Sequence, residues 1–222
     1  MPFMVKDPNL KIRLERAQSW LDLTKTADTP EHARFIFYWI AFNSMYGLPP
    51  IDPDHLDKER ESQFDEIREF LAHVKSMSSF DRKTGTRFLD KAVRNSRRYA
   101  QALIEDPFLS REYWEGAKSP PRIESACKQE WELASDELKK GNNDSFLYFA
   151  FSRLIVLRNE VIHGSATASP SSKGYPSLQS GVRFLEIMAP AFFDLLETYG
   201  DRVPKWPKAP YPRRDHPAHP HP

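Results

Sequence analysis

Apolar residues recur along this chain at helical rather than strand spacing. Period-two runs are scarce, and apolar positions return every three or four residues, which marks one face of a helix. In Asn9 to Thr24, the residues Ile12, Ala17, Trp20, Leu21 and Leu23 give the apolar side of a first helix. Thr29-Pro30-Glu31 opens a second, because proline suits the first helical turn. From Phe35 to Phe42 this second helix is apolar nearly all round, which predicts a central position in a bundle. Gly47 ends it, and Leu48-Pro49-Pro50-Ile51-Asp52-Pro53 reads as an extended connection.

Amphipathic patterns then predict a helix over 60–78, through Phe64, Ile67, Phe70, Leu71 and Val74. Another covers 86–104, through Phe88, Leu89, Ala92, Tyr99 and Leu103, and a shorter one covers 108–116. Ser119-Pro120-Pro121 breaks the chain before a more polar helix from Arg122 to Lys140. Asn143-Asp144-Ser145 offers capping oxygens to the next helix, and Gly164 supplies its stop. A small-residue polar loop, Ser165 to Pro176, leads to a last helix from Ser177 to Tyr199, where Pro190 is a place for a kink. Beyond Gly200, prolines at 204, 207, 210, 212, 217, 220 and 222 give a segment of polyproline character. The predicted fold is all-α: a helical bundle over 1–201, elaborated by inserted helices at about 50–141, with a proline-rich tail over 202–222.

Composition narrows the class. With 222 residues and 25.8 kDa, the chain is long enough for one domain with a full core. A net charge of +1 means that any nucleic-acid affinity comes from local patches. The single cysteine, Cys127, excludes an internal disulfide and fits a reducing cytoplasm. The N-terminal residues lack the apolar core of a signal peptide. The longest apolar run, Phe35 to Phe42, falls far short of the roughly 20 residues that span a bilayer. These features predict a cytoplasmic protein without a membrane partner. Walker A, Gly-x-Gly-x-x-Gly, His-Glu-x-x-His and Gly-x-Ser-x-Gly motifs are all missing, so ATPase, dinucleotide and zinc-protease readings lack support.

The segment from Asn143 to Gly164 carries the candidate chemistry. Advancing about 100° per residue, Leu147, Ala150, Leu154, Leu157 and Val161 form one apolar stripe. Tyr148, Ser152, Asn159 and His163 share a more polar side. Arg158 falls within the apolar arc, where a guanidinium needs a partner because burying a lone charge costs several kcal/mol, on the order of a whole core contact. Asn43 is a neutral candidate for that partner and Glu186 a charged one. The Arg-x4-His spacing by itself is weak, since Arg68/His73 and Arg214/His219 also match it. Only Arg158/His163 has asparagine directly after the arginine and glycine directly after the histidine.

Each candidate has a chemical and a structural reading. An unperturbed imidazole has a pKa of about 6.5 and suits proton transfer at neutral pH, so His163 reads as a general acid or base, and equally as a helix-terminal residue facing the dipole. Arg158 suits a scissile phosphate and the charge of a pentacoordinate transition state, or an ion pair to a neighbouring helix. Asn159 either orients His163 and touches RNA or caps the helix end. Ser165 and Thr167 offer hydroxyls to phosphate oxygens, or simply solvate the loop. In the basic run Lys91 to Arg98, Arg94, Arg97 and Arg98 with Tyr99 nearby suit RNA-backbone contacts, or a solvated face. Cys127 reads as an inert thiol. His216, His219 and His221 lack the companions of a metal site, so no metal and no cofactor is expected.

The stretch Arg158-Asn159-x-x-x-His163, set in Val156 to Thr167, resembles the signature of the HEPN superfamily, and Phe35 to Gly47 fits a bacterial branch of it. The resemblance covers roughly 8–47 and 143–200. It implies a helical bundle and a metal-independent endoribonuclease acting on RNA as a homodimer. Arg158, Asn159 and His163 would be the site, and a toxin–antitoxin or defence setting is typical. About 140° separates Arg158 from His163 around a regular helix, so one copy does not aim both at one phosphate, whereas a two-fold dimer brings both pairs to one cleft. Two other readings stay open: a non-catalytic HEPN-like module binding an antitoxin or other protein partner, and a nucleotide-sensing helical domain. Arg158 closed off by Glu186 would favour the module.

Overall fold

The computed structural model describes residues 5–26, 28–47, 63–116, 118–164, 169–203, 206–207 and 209. The expected connection after Gly47, Ser165, Thr167 and the tail histidines lie outside the described residues. Among the described residues the chain forms eight α-helices and no strand, as the pattern predicts. They are α1 (Pro8–Leu23), α2 (Glu31–Tyr46), α3 (Gln63–Thr84), α4 (Phe88–Ile104), α5 (Arg111–Trp114), α6 (Pro120–Lys139), α7 (Asp144–Ile162) and α8 (Tyr175–Tyr199). No helix among them is long and apolar enough to cross a membrane.

Local chemistry sets the ends. Asp7 caps α1 by accepting from the Asn9 and Leu10 amides at 2.8 and 3.0 Å. The start of α4 has no side-chain cap of its own, since Arg87 sits there in a left-handed conformation. Buried Asp81, at the end of α3, accepts from the Leu89 amide instead. Helix α3 runs to Thr84, beyond the expected end at 78, and stops before Gly85 at φ +80°. The single short helix expected at 108–116 is a 3-10 turn, Pro107–Leu109, followed by α5. Asp106 caps that turn through the Phe108 amide. Helix α8 continues through Pro190.

One core unites all of the longer helices. Phe42 on α2 stands at its centre, its ring 4.4 Å from Phe151 on α7, 5.7 Å from Phe70 on α3 and 5.8 Å from Phe192 on α8. Burying such rings drives the assembly, and each is worth about 2–3 kcal/mol in removed apolar area. The expectation that α2 is central follows from this wrapping. The helices between 63 and 139 are part of the same core: Phe70, Val74, Leu89 and Leu103 are all buried in it. α8 comes so close to α7 that a Cβ on Gly181 would lie 2.6 Å from Leu157 Cδ2. Arg13, fully buried, ties the ends together by donating to the Gly47 and Pro207 carbonyls at 2.8 and 3.2 Å. Burial lowers its pKa to about 10.

Candidate functional site

The candidate site lies at the C-terminal end of α7. Five elements meet there. α2 and α3 run antiparallel to α7 and bring Trp39 and Gln63 to Arg158. The turn after α4 brings Asp106, α5 brings Trp114, and the start of α8 brings Ser177, which donates to Asp106.

Arg158 is half-buried, and its Nη2 donates to Gln63 Oε1. Its guanidinium lies over the Trp39 ring, 5.6 Å from the centroid. Gln63 passes the contact on by donating from Nε2 to Tyr46 Oη at 3.1 Å. Burial lowers the pKa of Arg158 and raises that of Tyr46. The Arg158 Nε–H is buried with no acceptor among the described residues. No carboxylate among the described residues faces this cation. The expectation that Glu186 or Asn43 would partner it is therefore corrected. Glu186 is already held by Arg34 at 2.8 Å and Arg183 at 2.7 Å, and Gln63 occupies the place proposed for Asn43.

His163 is the residue on which α7 ends. Its amide still donates to the Asn159 carbonyl at 2.9 Å, and Gly164 at φ +74° turns the chain away. Its ring and the Asn159 side chain are exposed. No hydrogen bond joins the side chains of Arg158, Asn159 and His163 to one another among the described residues. Arg158 faces inward and His163 faces solvent, in keeping with their angular separation.

Glu160, inside the same motif, escaped the sequence reading. It is half-buried, and burial pushes its carboxyl up to about 7. The Asp106 charge adds to that push, and hydrogen bonding from Trp114 opposes it. The group therefore exchanges protons near neutrality, one turn from His163. The missing signal was its neighbour: Asp106 is 54 positions away in sequence, and only the fold brings the two together. Trp114, Phe108 and Ile162 around this end are exposed.

The remaining candidates sit elsewhere. Arg94, Arg97 and Arg98 are exposed on α4. Arg97 donates to Ser135 on α6 at 2.6 Å and lies over Trp131, while Arg98 folds onto the neighbouring Tyr99 ring. Cys127 is buried, and burial raises its thiol pKa, so it lacks thiolate character. Among the described residues no group of histidine, cysteine and carboxylate side chains has the makings of a metal site.

No family model matches the chain, and no curated protein and no solved structure is detectably similar to it.

Proposed function

We propose that this chain is a HEPN-type, metal-independent endoribonuclease that works as a homodimer. The observation that carries the reading is the Arg158 cation, which faces no carboxylate among the described residues. Among them this half-buried guanidinium meets a neutral amide and a ring, which leaves its positive charge for an external anion. A phosphodiester is such an anion, and Arg158 matches its planar pairs of oxygens.

In this mechanism the 2′-oxygen of RNA attacks the adjacent phosphorus. An imidazole, His163, takes the 2′-hydroxyl proton, and the phosphorus–5′-oxygen bond breaks. The leaving 5′-oxygen receives a proton from the His163 of the second copy. The products are a 2′,3′-cyclic phosphate and a 5′-hydroxyl. Arg158 holds the non-bridging oxygens as charge builds on them. Asn159, exposed one turn before His163, orients the imidazole or the RNA. Arg94, Arg97 and Arg98 extend the RNA contact, and a toxin–antitoxin or defence role suits such an activity. Exposed Ile162 beside His163 suits burial against a second copy.

That same exposed apolar end supports a second reading, a non-catalytic module whose partner protein covers Phe108, Trp114 and Ile162. Cleavage of a cellular RNA pool in EDTA separates the two. The nuclease reading expects 2′,3′-cyclic ends from the wild type and none from a folded His163→Ala variant. Intact RNA with the wild type would leave the module.

A further inference from the structure

The opposite end of α7 opens into a cavity of about 640 Å³ between α3, α4 and the turn joining α6 to α7. That volume lies in the range of small-molecule sites, roughly 300–1,000 Å³. Its apolar surface comes from Leu71, Leu89 and Leu147. Beside them lies the Tyr148 ring, with the Arg68 guanidinium 5.3 Å from its centroid. Its polar rim carries Lys75, Arg82, Lys140 and the amides of Asn142 and Asn143. One carboxylate, Asp144, lines the cavity, and it holds Lys75. Arg82 is held by Asp90 at 2.9 Å, whereas Lys140 pairs with no carboxylate among the described residues. The Lys75–Asp144 pair is exposed, so it is weak and exchanges readily for another anion.

We propose that this cavity binds a nucleoside monophosphate or an aromatic phosphate of similar size. Its flat body lies on Leu71, Leu147 and the Tyr148–Arg68 stack, where aromatic and cation–π contacts are available. Its phosphate replaces Asp144 at Lys75 and takes Lys140 as a second cation. The Asn142 and Asn143 side-chain amides are already held by Glu137 and Asp90, so the preference for an aromatic body over an acyl chain rests on the Tyr148–Arg68 stack. Asp144 and His163 stand nineteen positions apart at the two ends of α7, roughly 28 Å at the helical rise. The cavity is therefore a site distinct from the proposed nuclease centre and stands without it.

The test is calorimetric titration of the full chain with AMP, GMP, CMP and UMP, with adenosine and inorganic phosphate as controls. At least one nucleotide is expected to bind once per chain with a Kd below about 1 mM. Adenosine and phosphate are each expected to bind about ten-fold more weakly or worse. Lys75→Ala/Lys140→Ala, both changes being on exposed side chains, should weaken binding about ten-fold or more, and Asp144→Asn should strengthen it. Failure of all four nucleotides to saturate the protein, or an affinity indifferent to removal of both lysines, overturns the proposal.

Discussion

Arg153 and Arg158 stand five positions apart on α7, and the protein treats their charges in different ways. Arg153 lies in the middle of the helix with its side chain 7% exposed, and it pairs with Glu130 on α6. Arg158 lies near the helix end, half-buried, against a neutral amide and an indole. The first is a closed ion pair that ties α7 to α6. The second is a charge that no carboxylate among the described residues answers. Burial alone does not separate these two cations; the charge of what faces each among the described residues does.

This contrast is open to attack by substitution. Arg153→Met leaves the Glu130 carboxylate without its partner in a site where burial already pushes its pKa up. A loss of roughly 2–4 kcal/mol is expected, less than for a wholly buried pair because Glu130 is 30% exposed. Urea denaturation measures it, and a loss below about 0.5 kcal/mol would make the pair ornamental. Gly181→Val forces a side chain into the 2.6 Å approach of Leu157, next to Arg158. It should cost about 1–3 kcal/mol by overpacking, lowering the melting temperature, and displace Arg158 from Gln63, which on the proposed nuclease reading lowers RNA cleavage too.

Glu160 gives a pH-dependent version of the comparison. Its carboxyl titrates near 7 in the folded protein, against 4.5 for an ordinary glutamate. Between those values the folded state holds a proton that the unfolded chain has released. Stability therefore falls as pH rises through this window and stays lower above it. Glu160→Gln removes that loss: at pH 8 it should be more stable by about 1–2 kcal/mol, after allowance for partial hydration. The gain should vanish below pH 4.5, where both states are protonated. Melting curves at pH 8 and pH 4 that show the same difference would remove the buried-carboxylate account. The smallest effect is expected from Asn159→Ala, whose exposed side chain should change stability by no more than about 0.5 kcal/mol.

Much of this frame was legible in the sequence. The order of the helices follows from apolar spacing, and Gly164 marks the end of α7 because the left-handed conformation there suits glycine. α2 reads as central because its apolar surface has no polar side to turn outward. The arginines were harder. Residues Arg153 to Leu157 are buried without interruption, so α7 has too little polar face for periodicity to rank its positions. The angular reading put Arg158 in the apolar arc and gave no place to Arg153, which the structure buries more deeply. The partners Gln63, Glu130 and Asp106 lie on other helices and connections, far away in sequence. No local rule selects them; they are set by how α3, α4 and α6 pack on α7.

The most direct measurement compares Arg153→Met with Arg158→Met in parallel, by urea denaturation and by RNA cleavage in EDTA per folded molecule. The account predicts a crossover. Arg153→Met loses stability and keeps its cleavage, while Arg158→Met stays within about 1 kcal/mol of the wild type and loses cleavage by roughly 10²–10³. An Arg158→Met protein that unfolds readily, or one that cleaves as well as the wild type, would contradict the claim that this cation is held for an anionic ligand.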